Sequence, residues 1–242
     1  MTDLNKRADP IGPVSGHVAR SQPGVGPAIL VLHSWWGLTG HFRRVAERLA
    51  GVGYLAMAPD LYHGDTADDE AHARALRQGL NWEQALHEAV DALRYARELA
   101  GSAQPAGVIG FSMGAELAID VATTRPADVG ALVVFYGVKT SPALDRLRAP
   151  VQGHFAADDE FATADEIREF TSRLAELGVR QDGYVYAGTR HAFFNTARPE
   201  AYDPSSASLA WDRVVAFLAA TLGPAAAPLG EEPAAQPSGP AG

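Results

Sequence analysis

Ala106-Gly107-Val108-Ile109-Gly110-Phe111-Ser112-Met113-Gly114-Ala115-Glu116-Leu117 is the stretch on which the reading of this chain turns. Its first four residues are an apolar, β-prone run. From Ala115 the sequence continues to Ala122 as a good helix former. A strand, Gly-x-Ser-x-Gly and a helix form the pattern of a nucleophile elbow, a sharp turn that lifts one serine out at the top of a sheet. The turn presses together the residues two before and two after the serine, so side chains at Gly110 and Gly114 would clash. The competing reading is a glycine-rich strand–helix turn with a buried serine, as in many nucleotide-binding folds.

Outward from the elbow, short apolar runs alternate with helical segments, the pattern of a parallel sheet covered on both faces. The spacing predicts strands at Ala28–His33, Tyr54–Pro59, Ala106–Phe111, Ala131–Tyr136, Val151–Phe155 and Gly183–Tyr186, with Gly16–Arg20 as a short edge strand. Helices are expected at Gly40–Ala50, Asp69–Arg77, Trp82–Leu99, Met113–Thr124, Ala164–Leu177 and Ser206–Leu222. The third is the clearest: Asn81 is a natural N-cap with Gln84 three residues on, and Trp82, Leu86, Val90 and Leu93 share one face. The fold class expected is therefore α/β, a mostly parallel twisted sheet with helices on both faces.

At 242 residues the chain suits one domain over residues 1–222 that buries a sizeable core without staples. Residues 223–242 hold five Pro, six Ala and four Gly, with Leu229 as the one large apolar side chain. Such a segment cannot offset its ordering entropy, and a disordered, dispensable tail is expected. With no cysteine, disulfides and thiolate chemistry are excluded. A net charge of −9 argues against nucleic-acid partners. Neither an apolar leader nor a run of membrane-spanning length is present, so a cytoplasmic protein without membrane partners is expected.

A serine hydroxyl becomes a nucleophile when a histidine takes its proton, and a carboxylate must hold that histidine's tautomer. In sheets of this kind the chain order is Ser, acid, His, with the last two on loops after later strands. Three carboxylates, Asp158, Asp159 and Glu160, follow the strand at Val151–Phe155; three in a row cannot all be buried, so one is expected to point inward. His191 lies just past the last strand and is the histidine in the required order. The oxyanion hole needs two backbone N–H donors: Met113, directly after the serine, and Trp35, in the loop His33-Ser34-Trp35-Trp36-Gly37-Leu38. Trp36 is expected either to wall the acyl pocket or to pack in the core.

With these pieces placed, the chain from about Pro27 to Leu222 resembles the dienelactone hydrolase family of α/β-hydrolases. The markers are residues 33–38, residues 53–62 (Gly-Tyr-Leu-Ala-Met-Ala-Pro-Asp-Leu-Tyr), the elbow, Phe135-Tyr136-Gly137, Asp159-Glu160-Phe161 and His191-Ala192-Phe193. The resemblance places the acid two residues before an aromatic, which selects Asp159 over Asp158. Three departures stand out. Ser112 replaces the family's usual Cys, Ser34 replaces a Glu that contacts the resting thiol, and Asn195 replaces an Arg that grips the substrate carboxylate.

The resemblance implies a serine hydrolase cleaving carboxylic esters or lactones through an acyl-enzyme, with no cofactor and no metal. Its catalytic set would be Ser112, Asp159 and His191. Trp36, Tyr62, Phe161, Phe193 and Asn195 are the expected pocket residues. Asn195 in place of Arg favours neutral substrates, unless Arg74 or Arg77 reaches the pocket. A thioesterase or small-amide hydrolase with the same triad and a non-catalytic ligand-binding member of the fold are the alternatives. The expected partner is a small-molecule ester or lactone, with the oligomeric state, monomer or dimer, left open.

Overall fold

The structure, a computed structural model, describes residues 9–11, 14–20 and 26–223. The expected tail therefore lies outside the described residues but for Gly223. Eight strands form one sheet: β1 (Asp9–Ile11), β2 (Val14–Ala19), β3 (Ala28–Leu32), β4 (Leu55–Pro59), β5 (Ala106–Phe111), β6 (Val129–Phe135), β7 (Val151–Asp158) and β8 (Gln181–Arg190). Their order is β1-β2-β4-β3-β5-β6-β7-β8. β1 and β2 pair antiparallel and β2 lies antiparallel to β4, while every pairing from β4 to β8 is parallel.

The period-2 geometry of the central strands builds the two cores. On β3, Leu30 and Leu32 face one side and Ile29 and Val31 the other. The first side is covered by α3 (Trp82–Leu99), α4 (Met113–Thr124) and α5 (Ala164–Glu176), the second by α1 (Gly40–Gly51) and α6 (Pro204–Leu222). A further helix, α2 (Glu70–Gly79), buries only Ala73 and stands outside these layers. Caps written in the sequence set the helix starts. Asn81 accepts from the Gln84 N–H at 3.1 Å, Asp203 accepts from Ser206 at 2.7 Å ahead of Pro204, and Thr163 and Glu166 form a capping box.

The structure differs from the sequence pattern in three places. The seam of α3 that is fully buried is Ala85, Ala89, Ala92, Leu93 and Ala96, with Trp82, Leu86 and Val90 flanking it half-buried. β8 runs for ten residues rather than four. As the edge strand it is largely exposed and carries Gly183 and Gly188, so it lacks the apolar alternation that marks an internal strand. The antiparallel strand β1 has no counterpart in the pattern.

The elbow joins β5 to α4 under tight steric terms. A Cβ on Gly114 would lie 2.3 Å from the Leu32 carbonyl oxygen and 2.4 Å from that of His33, and one on Gly110 would lie 2.1 Å from the Gly114 oxygen. These neighbours are backbone and cannot rotate away. Gly114→Ala should therefore destabilise the fold by about 1–3 kcal/mol or more, lowering the thermal midpoint by roughly 5 °C. A melting curve unchanged from wild type would refute this packing.

Candidate active site

Ser112 sits between strand and helix at φ 54° and ψ −119°, a left-handed conformation that costs a non-glycine residue energy. The surroundings hold it there. Its N–H donates to the Phe135 carbonyl at 2.9 Å, and its own carbonyl accepts from Ala115 at 2.8 Å. The side chain is thereby aimed away from the sheet, and Ser112 Oγ lies 2.9 Å from His191 Nε2.

His191 follows the last residue of β8, and Asp159 the last of β7. The register that pairs Asp158 with Arg190 brings the two strand ends side by side. His191 Nδ1 lies 2.9 Å from both Asp159 carboxylate oxygens. The Asp159 side chain is 2% exposed, and its Oδ1 also accepts from the Phe161 and Ala162 N–H groups at 2.8 and 2.9 Å. Asp158 and Glu160 are exposed, so of the three consecutive carboxylates one turns inward. The carboxylate fixes the imidazole with its proton on Nδ1, leaving Nε2 as acceptor for the serine hydroxyl.

Two rings clamp the imidazole. Tyr136, fully buried, meets it edge-on at 5.0 Å, and Phe161, half exposed, lies 4.8 Å away on the cleft side. Burial, reinforced by the Asp159 charge, pushes the Tyr136 hydroxyl well above its ordinary range, so it stays neutral beside the histidine.

The loop after β3 approaches the elbow because Leu32 and His33 touch Gly114. His33 pins this loop: its Nδ1 lies 2.7 Å from the Ser34 carbonyl and its Nε2 accepts from the Leu61 N–H at 3.2 Å. Burial holds the His33 pKa below its ordinary value, the neutral form those bonds require. The N–H groups of Trp36 and Gly37 turn back onto Ser34 Oγ and the Ser34 carbonyl, at 3.5 and 3.1 Å. The Trp35 N–H has no backbone acceptor among the described residues. Met113, the first residue of α4, has an N–H that the helix itself cannot satisfy.

A cleft of about 390 Å³ opens beside His191, walled by Trp35, Trp36 and Phe161. Three residues expected in that wall lie elsewhere. Tyr62 is buried against α3, and its hydroxyl donates to the Met113 sulfur at 3.3 Å. Phe193 is fully buried behind the histidine loop, packed on Tyr136 and Tyr186. Asn195 is 2% exposed and caps its own turn by accepting from the Ala197 N–H at 3.0 Å.

The charged lining of the cleft was not legible in the sequence. Arg190 and Arg198 stand there against Glu70, Asp158, Glu160 and Glu200. Arg198 lies flat on Trp36 at 3.2 Å and donates to the Ala67 and Asp68 carbonyls at 3.3 and 3.4 Å. Arg74 stacks on Trp35 at 5.7 Å, and Arg77 is held by Trp82 and Glu116.

A serine at a strand–helix elbow, above a mostly parallel sheet with helices on both faces, defines an α/β-hydrolase. Residues 14–222 match the dienelactone hydrolase family model, and the chain belongs to that family. It is 34% identical over 215 residues to Protein usf of Aquifex pyrophilus, across 84% of this chain and 92% of that one. A protein of Aquifex aeolicus, provisionally named a carboxymethylenebutenolidase, is 31% identical over 214 residues, with the same coverage. Among solved structures, a provisionally named dienelactone hydrolase of Klebsiella pneumoniae superposes with a TM-score of 0.76 at 25% identity, over 88% of this chain and 96% of that one. The family is one of hydrolases. No helix among the described residues is long and apolar enough to cross a membrane.

The inward turn of one carboxylate yields a sharp contrast between neighbours. Asp159→Asn should lower kcat for hydrolysis by ~10³–10⁴-fold, and Asp158→Asn by less than about twofold, since an exposed carboxylate acts only through solvent. Steady-state kinetics on both variants checks this; equal losses would refute the role of Asp159.

Proposed function

We propose that this chain is a single-domain serine hydrolase that cleaves carboxylic esters or lactones through an acyl-enzyme. The observation carrying this reading is the run of 2.9 Å contacts from Ser112 Oγ through His191 to a buried Asp159. Ser112 Oγ attacks the acyl carbon while its proton passes to His191 Nε2. The negative charge that develops on the carbonyl oxygen is met by the N–H groups of Met113, at the start of α4, and Trp35, neither of which has a backbone acceptor among the described residues. His191 then protonates the leaving alkoxide. In the second half it takes a proton from water, which attacks the acyl carbon, and returns that proton to Ser112 Oγ as the bond to the acyl group breaks and the carboxylic acid product leaves. Asp159 stabilises the imidazolium in both halves without itself being protonated.

Neither departure at the elbow obstructs this scheme. A hydroxyl nucleophile needs the histidine as base, and that contact is made in the resting geometry. Ser34 holds the Trp36 N–H, which leaves Trp35 to face the oxyanion.

Ser112→Ala removes one hydroxyl without altering the turn, so folding should persist while kcat falls by about 10⁴-fold or more. A fluorophosphonate probe should label the wild type at Ser112 and leave the variant unlabelled. Retention of more than about a tenth of the wild-type rate would end the assignment.

Substrate charge follows from the lining of the cleft. Four carboxylates face two guanidiniums there, and Arg198 is already committed to Trp36 and two carbonyls. Neutral short-chain esters or lactones should therefore exceed an acid-bearing dienelactone in kcat/KM. A clear preference for the dienelactone would overturn this and point to Arg190 or Arg198 as its anchor.

A further inference from the structure

Behind the loop that carries His191, α1, the segment after that loop and the start of α6 line a second pocket of about 390 Å³ that is open to solvent, with Arg44 and Arg48 exposed at its rim. Its charge is opposite to that of the cleft. Arg44 and Arg48 line it and no carboxylate does. They lie one turn apart on α1, where like charges repel. Glu47, between them on the helix, is turned toward His17 at 3.6 Å. Asp212 and Tyr202 act on Arg48 electrostatically, but among the described residues neither arginine has an ion-pair partner.

Both guanidiniums are held in place. Arg44 reaches Thr196 Oγ1 at 3.4 Å, and Arg48 lies on the Trp211 ring at 3.8 Å. A stacked guanidinium keeps its N–H edge free for acceptors in its plane. His41 adds a wall but no third charge. Its Nδ1 accepts from the Thr196 N–H at 3.3 Å, and burial, then Arg44 and Arg48, push its pKa down to about 3. Hydroxyls of Thr196, Tyr202 and Ser208 lie around the cavity, and Val45, Phe194 and Ala207 give it an apolar side.

We propose that this cavity is a binding site for a small organic oxyanion, a carboxylate or phosphate monoester carried on an apolar body. Arg44 and Arg48 take the anion, and Val45, Phe194 and Ala207 take the body. In a chain of net charge −9, two adjacent arginines in a lining without a carboxylate, and without an ion-pair partner among the described residues, favour an anion, and the mixed lining favours an organic one. The site stands independently of the chemistry at Ser112.

Calorimetric titration of the full chain with benzoate and with phenyl phosphate tests the proposal, with benzamide as the neutral isostere and inorganic phosphate as the anion without a body. At least one organic anion should bind at one site per chain, and benzamide roughly tenfold more weakly or worse. The Arg44→Ala/Arg48→Ala pair should weaken anion binding by about tenfold or more, whereas Arg44→Lys/Arg48→Lys should keep part of it and Arg190→Ala, in the cleft, all of it. Melting curves of each variant separate lost binding from lost folding. The proposal fails if neither organic anion binds, if affinity survives the double alanine change, or if inorganic phosphate binds as tightly as phenyl phosphate. It also fails if Arg190→Ala abolishes binding, which would place the ligand in the catalytic cleft.

Discussion

The approach of Gly114 to the Leu32 and His33 carbonyls is the constraint on which the site depends. It brings the start of α4 against the end of β3, whose neighbour in the sheet, β5, leads into that helix. Three consequences follow from that single contact. The chain can turn sharply enough to hold Ser112 at positive φ, the helix N-terminus is aimed at the space above the serine, and the loop of Trp35 is delivered beside it. A strained residue of this kind costs about 1–3 kcal/mol and persists only where its surroundings over-determine it. Here they do, through Phe135 on one side and the first turn of α4 on the other.

The histidine side of the site rests on the sheet rather than on its loop. Asp159 and His191 come from adjacent parallel strands whose ends are in register, so their separation is fixed by the ladder of β7 and β8. Tyr136, arriving from β6, supplies a wall beneath the imidazole. Its hydroxyl is kept neutral by burial and by Asp159, so no phenolate stands beside the imidazole. Three consecutive strand ends thus carry Tyr136, Asp159 and His191. Ser112 comes from the fourth strand in that row, at the carboxyl ends where open α/β sheets bind ligands.

How much of this was readable in the residues depended on how local the cause was. The elbow was legible because Gly110, Ser112 and Gly114 are short-range consequences of one turn. Asp159 and His191 were legible through strand order and family resemblance. The wall of the cleft was legible only in part: Trp36 and Phe161 line it, but Tyr62, Phe193 and Asn195 do not, because membership in it depends on side-chain direction after the chain has packed. Phe193 and Asn195 sit two and four residues past His191, yet the turn at Ala192, with φ 68°, sends both behind the loop. Arg190 and Arg198 carried no sequence signal, since an arginine on a polar segment is ordinarily solvated. β8 was underestimated for the converse reason, an edge strand with too little apolar surface to announce itself.

At position 195 the physical ground for expecting neutral substrates changes. The argument that an asparagine there cannot grip a substrate carboxylate assumed that the side chain faces the cleft, and it does not. The cleft does hold guanidiniums, but the nearest analogue of the missing fork is not free. Arg198 is stacked on Trp36, and its terminal nitrogens already donate to Ala67 and Asp68. To grip a carboxylate bidentately it would have to give up those carbonyls, inside a lining where acids outnumber arginines. Its present contacts instead tie the segment after His191 to the Trp36 loop, so its removal would loosen the cleft wall as well as change its charge. The proposal of uncharged substrates therefore rests on the balance of the whole lining and on the prior commitment of Arg198, with Asn195 playing no part.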